Sequence, residues 1–376
     1  MKRNICNIRF LQFVAILVVL GIGFAAWQAC SSKTNIRIAV NIPLTGPIAS
    51  FSGQYHNGLS LGIDDACKEY GVSRDKFILD VQDNTGKPSQ AVSAMQKQML
   101  QKPNIFISGT SDMSTAVAPE IQKANIPHFL VAFDAYLSRG DKNRLRILPH
   151  YKIEAPIYVK YAKMRNAKKV YIIALNLSSI DEEFSAIVEP GLSEAGIEYK
   201  REMYEFGTKE YKTIVLKVSK YKPDLIFVSG FAFHIYPILG ALRTYGMIQD
   251  GSVLCTLDLV DLLHNDTPRS ELEGVAFIAP LYEIPGAIEG LKEWRQRFKT
   301  KFGKQPSYVE AYAYDTGRVI VAAYKKSGVV DADTIRSVLP FEGIVGEINL
   351  DQDGDLMATL AIAEISGEGT VTRVDR

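Results

Sequence analysis

At 376 residues the chain is longer than one hydrophobic core usually supports, so two domains are the expectation. It is 47% hydrophobic and 23% charged, within the ordinary range of globular proteins. Its 43 basic and 42 acidic residues give a net charge of +1 with no long run of either sign, which argues against a phosphate-tracking surface for nucleic acid.

The N-terminus stands apart from the rest. Lys2, Arg3 and Arg9 precede an apolar run from Phe10 to Trp27, the positive-then-apolar order of an export signal. The run is also long enough for a membrane-spanning anchor. Cys30 follows the small Ala29 and precedes a polar stretch, which resembles a bacterial lipobox, whose cysteine is acylated and becomes the mature N-terminus. Trp27 stands where such a box normally has Leu. Residues 1–30 therefore read as a leader with Cys30 as lipid attachment site; an uncleaved anchor and a soluble secreted form are the other readings. All three place the remaining chain outside the cytoplasm.

From Ile36 onward, short apolar runs alternate with helical patterns. "IRIAVNI" is followed by Leu59, Ile63, Ala66, Cys67 and Tyr70 at spacings of 3 and 4. "KFILDVQDN" leads to Ala91, Met95 and Met99, and "NIFISGT" to Val117, Ile121 and Ala124, before "IPHFLVAF" opens another strand. These strands are apolar without clean alternation, as expected when helices cover both sheet faces. The pattern restarts with "KKVYIIALN", "PDLIFVSGF", "SVLCTLDL" and "GVAFIAPL", separated by helical stretches around 182–196, 209–221, 235–245 and 288–302. The class is α/β with parallel sheets, in two lobes. "EAYAYDTGRVIVAAYKKSG" reads as a further long helix, and "FEGIVGEINLDQDGDLMATLAIAEIS" as two antiparallel strands around an Asp-Gly turn.

Motifs for catalysis are missing. The nearest two of the five histidines are 22 residues apart, so none has the spacing of a helix-face metal pair. There is no nucleophile elbow, no phosphate loop and no dinucleotide fingerprint after the first strand. "DQDGD" at 351–355 fails as a calcium loop: its glycine is in the fourth place and its twelfth residue is Ile362. No metal or cofactor is called for. Cys67 lies on an apolar helical face and reads as a buried free thiol rather than a partner for Cys255.

Several stretches in order carry a resemblance. "LTGPIASFSGQYHNG", "VQDNTGKPSQAVSAMQK", "ISGTSDMSTAVAPEIQKANIPHF", "AYAYDTGRVIVAA" and "FEGIVGEINLDQDGDL" together resemble the leucine/isoleucine/valine-binding proteins, type I periplasmic solute-binding proteins of ABC transporters. The resemblance spans about residues 36–366. It implies two doubly wound α/β lobes joined by three crossovers, placed near Pro149, Ile284 and Phe341. Lobe 1 would be 34–149 plus 285–340, and lobe 2 would be 150–284 plus 341–376. It also implies a monomer that closes on a small-molecule ligand and hands it to a membrane permease, without catalysis or cofactor.

Position by position, the resemblance implies a set of ligand contacts. Phe51 takes the place of an aromatic that packs on the ligand. Ser111 and Asp112 stand where a hydroxyl usually meets the ligand carboxylate, Ala132 at a backbone contact, and Asp134 where Thr is common. Phe231 replaces a Tyr, Asp258 matches an acidic residue for the ligand ammonium, and Tyr308 matches a further aromatic. Bland roles compete with these: Ser111 and Asp112 as helix caps, Asp134 and Asp258 as turn residues, Phe51 and Phe231 as core rings. Three aspartates in one cleft would repel a carboxylate, by about 4 kcal/mol each at 4 Å and an effective dielectric near 20. The expected ligand is therefore an amino acid or related solute, with positive or hydrogen-bond-donating groups favoured. A ligand-sensing lobe for a signalling partner and an exported enzyme on the same fold are the competing readings.

Overall fold

The computed structural model describes residues 35–375 except 47, 50–53, 135, 266 and 368. The leader, Cys30 and Phe51 lie outside the described residues. Two sheets organise the chain. The first holds β1 (Ile36–Ile42), β2 (Phe77–Asp83), β3 (Ile105–Gly109), β4 (His128–Val131) and β5 (Arg144–Leu145) in the order β2-β1-β3-β4-β5, all parallel. The second is built on β6 (Lys169–Leu175), β7 (Glu198–Tyr204), β8 (Leu225–Ser229), β9 (Val253–Cys255) and β10 (Val275–Pro280).

In the second sheet the order β10-β9-β8-β6-β7 repeats that of the first, and every one of these pairings is parallel. Each sheet therefore reverses direction beside its first strand, between β1 and β3 and between β6 and β8. Residues on both faces of β1 are buried, as its mostly apolar run without clean alternation predicts, because helices cover both sides. β7 is different. It is an edge strand reading "EYKREMY", and its charged side chains keep that edge from pairing with another chain.

The helices α1 (Tyr55–Tyr70), α2 (Pro88–Met99) and α3 (Ser111–Ala124) accompany the first sheet. α4 (Tyr151–Met164), α5 (Ser178–Glu183), α6 (Glu189–Glu194), α7 (Lys212–Tyr221), α8 (Ala232–Thr244) and α9 (Leu259–His264) accompany the second. The chain then returns through α10 (Leu291–Phe302) and α11 (Tyr308–Ser327), followed by the short α12 (Ala332–Arg336). α11 crosses α1 at close range: a Cβ on Gly62 would fall 1.9 Å from the Tyr314 carbonyl oxygen, and one on Gly58 would fall 2.1 Å from that of Glu310. Only glycine lets the two backbones meet there.

The tail differs from the expectation of one hairpin around the Asp-Gly turn. β11 (Phe341–Gly343) and β12 (Gly346–Ile348) make a hairpin turning at Ile344–Val345, while β13 (Leu360–Ile365) joins the second sheet antiparallel to β10 and β14 (Val371–Arg373) pairs antiparallel with β13 at the edge. The β11–β12 hairpin, expected beyond a crossover at Phe341, instead packs on α11: Asp315 Oδ2 accepts from the Val345 N–H at 3.0 Å, and Arg318 lies over the Phe341 ring. The chain enters the larger sheet only at β13. Asp353-Gly354 forms a tight turn in between, in which Asp351 Oδ1 accepts from the N–H groups of Asp353 and Asp355 at 2.9 Å each.

Three stretches thus connect the two sheets, at 146–150, 281–290 and 349–359. The first and third are pinned together by a buried ion pair, Arg146 to Asp355 at 2.8 Å. Cys67 and Cys255 are both buried and free. Among the described residues no helix is long and apolar enough to cross a membrane.

Candidate functional site

In open α/β sheets a crevice forms beyond the carboxyl ends of the strands, where the strand order reverses. Here both sheets aim that end at one shared cavity of about 300 Å³. Its wall is built from segments that follow strands: Gly86 after β2, Thr110–Met113 after β3, Phe133 after β4, Leu177–Ile180 after β6, Phe206 after β7, Ser229–Phe231 at β8 and Thr256 and Asp258 after β9. Tyr308 enters from the start of α11.

Buried polar side chains hold these loops. Asn84 donates to the Gly109 carbonyl at 2.9 Å and to that of Asn41 at 3.2 Å, tying the end of β1 to the end of β3. Asp83 accepts from the N–H groups of Leu44 and Thr85, at 2.9 and 2.8 Å, and fixes the loop after β1. On the other wall, Gly230 is required because a Cβ there would lie 2.0 Å from the Tyr204 hydroxyl, which donates to the Ser229 carbonyl at 3.0 Å. Phe231, Phe206 and Phe233 form one aromatic cluster with His234, whose ring bonds the Phe206 carbonyl at 2.8 Å.

Ser111, Asp112, Phe231, Asp258 and Tyr308, named from the sequence, all line this cavity. Two others do not. Ala132 is buried beside it with its carbonyl taken by Arg146 Nη1 at 3.0 Å. Asp134 turns its carboxylate into its own loop, accepting from the Tyr136 N–H at 2.9 Å, and its own N–H donates to Ser111 Oγ at 3.3 Å. The crowding of three aspartates expected from the sequence is thereby relieved, and Asp112 and Asp258 remain on the wall. Ser178, Ser179, Phe133, Phe206 and Thr256 also line it, and sequence reasoning passed over them. The signal available for them was their place directly after strands.

Helix starts and carboxylates both reach the wall. α3 and α8 both begin at the cavity, and no side chain caps the first turn of either. Free N–H groups at a helix start favour an anion, and the Ser111 hydroxyl stands among those of α3. Asp258 lies on the side contributed by the second sheet, with Tyr308 Oη donating to it at 3.4 Å. Behind Asp258 are two fully buried glutamates. Glu154 accepts from the Thr256 hydroxyl and from the Leu257 N–H at 2.9 Å, whereas neither oxygen of Glu183 has a hydrogen-bond donor.

Burial pushes the Glu154 carboxyl up to about 7, against the pull of its two donors. Burial raises Glu183 well above the carboxylate range, reinforced by the charges of Glu154 and Asp258. Asp258 is raised in the same way, by burial and then by Asp261 and Glu154. A carboxyl raised in the folded state stabilises most below its unfolded value, and that contribution is lost as pH rises toward the folded value. Glu154→Gln, which keeps an acceptor for Thr256 and Leu257, is therefore expected to gain melting temperature relative to wild type between about pH 4.5 and 7. Thermal melts across that range check it; a constant difference means that Glu154 does not titrate there.

Among the described residues the cavity holds no nucleophile bonded to a base. Ser108 Oγ bonds His128 Nε2 and Ser114 Oγ at 2.7 Å each, but all three side chains are buried away from the cavity. Among the described residues no group of three His, Cys, Asp or Glu side chains is placed to hold a metal.

Comparison with known proteins gives the same architecture. A family model described as periplasmic binding protein matches residues 35–370. The leucine-, isoleucine-, valine-, threonine- and alanine-binding protein of Pseudomonas aeruginosa is 24% identical over 348 residues, covering 89% of this chain and 90% of its own length. The substrate-binding protein LivJ of Streptococcus pneumoniae, solved with isoleucine, superposes with a TM-score of 0.76 at 19% identity, over 91% of this chain and 99% of its own. A solute-binding protein of an ABC transporter from Rhodopseudomonas palustris, solved with 3,4-dihydroxybenzoic acid, gives 0.77 at 20% identity, over 91% and 96%.

Proposed function

The chain belongs to the periplasmic binding protein family, and from that premise we propose that it captures an amino acid or closely related solute for an ABC transporter. The observation that carries the reading is the pairing of groups across the cleft: first-turn N–H groups of α3 with Ser111, beside an Asp112 that is exposed, and facing them from the second sheet Asp258. That arrangement suits a solute with a carboxylate toward α3, a cationic nitrogen toward Asp258 and an apolar body against Phe133, Phe206, Phe231 and Tyr308. Of the two ligand classes found with the neighbours, Asp258 favours the amino acid. A benzoic acid brings no positive charge to it, whereas an amino acid does.

The two lobes close on the solute because it binds the closed form better than the open one, by touching both walls at once. The hinge is the set of three stretches between the sheets. Lobe 1 is 34–149 plus 285–340 together with the β11–β12 hairpin, and lobe 2 is 150–284 plus the chain from β13. We assign the closed form to a membrane permease as its receiver, Cys30 as the lipid attachment that keeps the monomer at the membrane, and the extracytoplasmic side as its location.

A thermal-shift screen of the purified protein tests this reading. An amino acid at about 100 times its dissociation constant adds roughly 2.7 kcal/mol, several degrees of melting temperature. Stabilisation by at least one free amino acid is expected. Stabilisation by benzoic acids alone, with every amino acid inert, contradicts the assigned role of Asp258.

A further inference from the structure

We propose that the cleft continues past Asp258 into a second subsite that accepts a positively charged tail of the ligand, an alkylammonium or guanidinium group. The proposal rests on the solute-binding reading above and names the class of solute. A cavity of about 700 Å³ adjoins the first, and Phe231 and Asp258 line both. The first cavity is at the small end for ligand sites; the two together suit an elongated solute.

One part of the second cavity's wall joins carboxylates to aromatic rings. Asp258 and Asp261 both line it, three residues apart at the start of α9, where such a spacing puts side chains on one side. Asp261 Oδ1 is buried with no hydrogen-bond donor. Phe231 and Phe233 stack with ring centroids 5.6 Å apart and planes 13° from parallel. Phe233 is 42% exposed and Tyr236 is 38% exposed, both on this wall. Aromatic faces beside carboxylates attract an organic cation twice over, through charge and through the ring quadrupole.

Of the protein's own cations on this lining, Lys304 is near enough to act on Asp261 through its charge, but its hydrogen bond goes elsewhere. Lys304 is paired with Glu310 at 2.8 Å, and His264 bonds Glu283 at 2.9 Å. Lys299 is exposed on the lining from α10 and is the like charge that a tail must pass. Together these features favour a solute with a carboxylate at α3, an ammonium at Asp258 and a second positive group against Asp261, Phe233 and Tyr236.

Calorimetric titration with two isosteric pairs tests the proposal: L-lysine against L-norleucine, and L-arginine against L-citrulline. The cationic member of at least one pair is expected to bind roughly tenfold or more tightly than its neutral partner. Asp261→Asn and Tyr236→Ala, the second an exposed side chain that lines only the second cavity, are each expected to erase most of that preference, read as the ratio of cationic to neutral affinity within a pair so that a change common to both members cancels. Equal binding within both pairs overturns the second subsite, and so does an equal loss for both members in the variants. Binding of leucine or norleucine without lysine or arginine overturns it too, yet leaves the solute-binding reading standing. Binding of no amino acid at all overturns both.

Discussion

Asp258→Asn is expected to weaken amino-acid binding about a hundredfold while leaving the ligand-free protein as stable as wild type or more so. Removing one partner of a buried, hydrogen-bonded charge pair costs about 2–5 kcal/mol of binding, and every 1.4 kcal/mol is tenfold. The ligand-free state runs the other way. Burial and the charges of Asp261 and Glu154 disfavour ionised Asp258, and Tyr308 offers it only a long hydrogen bond of 3.4 Å. Asparagine removes the charge and can still accept from Tyr308. Titration calorimetry and thermal melts on one preparation separate the two effects. A parallel loss of affinity and stability would assign Asp258 a structural role instead.

The second large effect belongs to the hinge. Arg146 is fully buried and donates to Asp355 at 3.0 and 2.8 Å, to the carbonyls of Ala132 and Asp134 at 3.0 and 2.7 Å, and to Ser138 at 3.4 Å. Replacing it by alanine strands the Asp355 carboxylate and the Ala132 carbonyl away from water. Breaking a buried pair from one side costs about 3–5 kcal/mol, so Arg146→Ala should lower the melting temperature by on the order of 10 °C. Replacing both partners by apolar residues of similar volume, Arg146→Met with Asp355→Leu, should recover much of the loss, because no unpaired charge is left. If the double variant melts as low as the single one, the carbonyl bonds rather than the ion pair hold the hinge. Ligand affinity should fall with either variant, since Arg146 also holds the loop that carries Phe133 into the cavity.

How far the sequence reached depended on which physical signal each element carries. Buried strands such as β1, β3, β6 and β8 are mostly apolar runs, and their order in the sequence shows two α/β sets. β7 escaped because an edge strand needs charges, so "EYKREMY" shows no apolar run. The tail was read as one hairpin because an Asp-Gly pair is the strongest local turn signal, yet the chain turns earlier, at Ile344–Val345, and β13 pairs with β10.

The cleft was legible where a residue follows a strand, as with Ser111, Phe231 and Asp258. It was illegible where a side chain chooses between the cavity and its own backbone. Asp134 makes a local turn, which an Asp after a strand does as readily as it meets a ligand. Glu154 and Glu183 sit on helical faces otherwise filled by apolar side chains, and only the packing of α4 and α5 against β9 and the cavity brings them behind Asp258.

The most direct test is small-angle X-ray scattering with and without the amino acid that the thermal screen selects. Wild-type protein should contract on saturation with one ligand per chain, and Asp258→Asn at the same ligand concentration should keep the ligand-free radius. Saturable binding with no contraction of the wild type would contradict a solute held between two closing lobes.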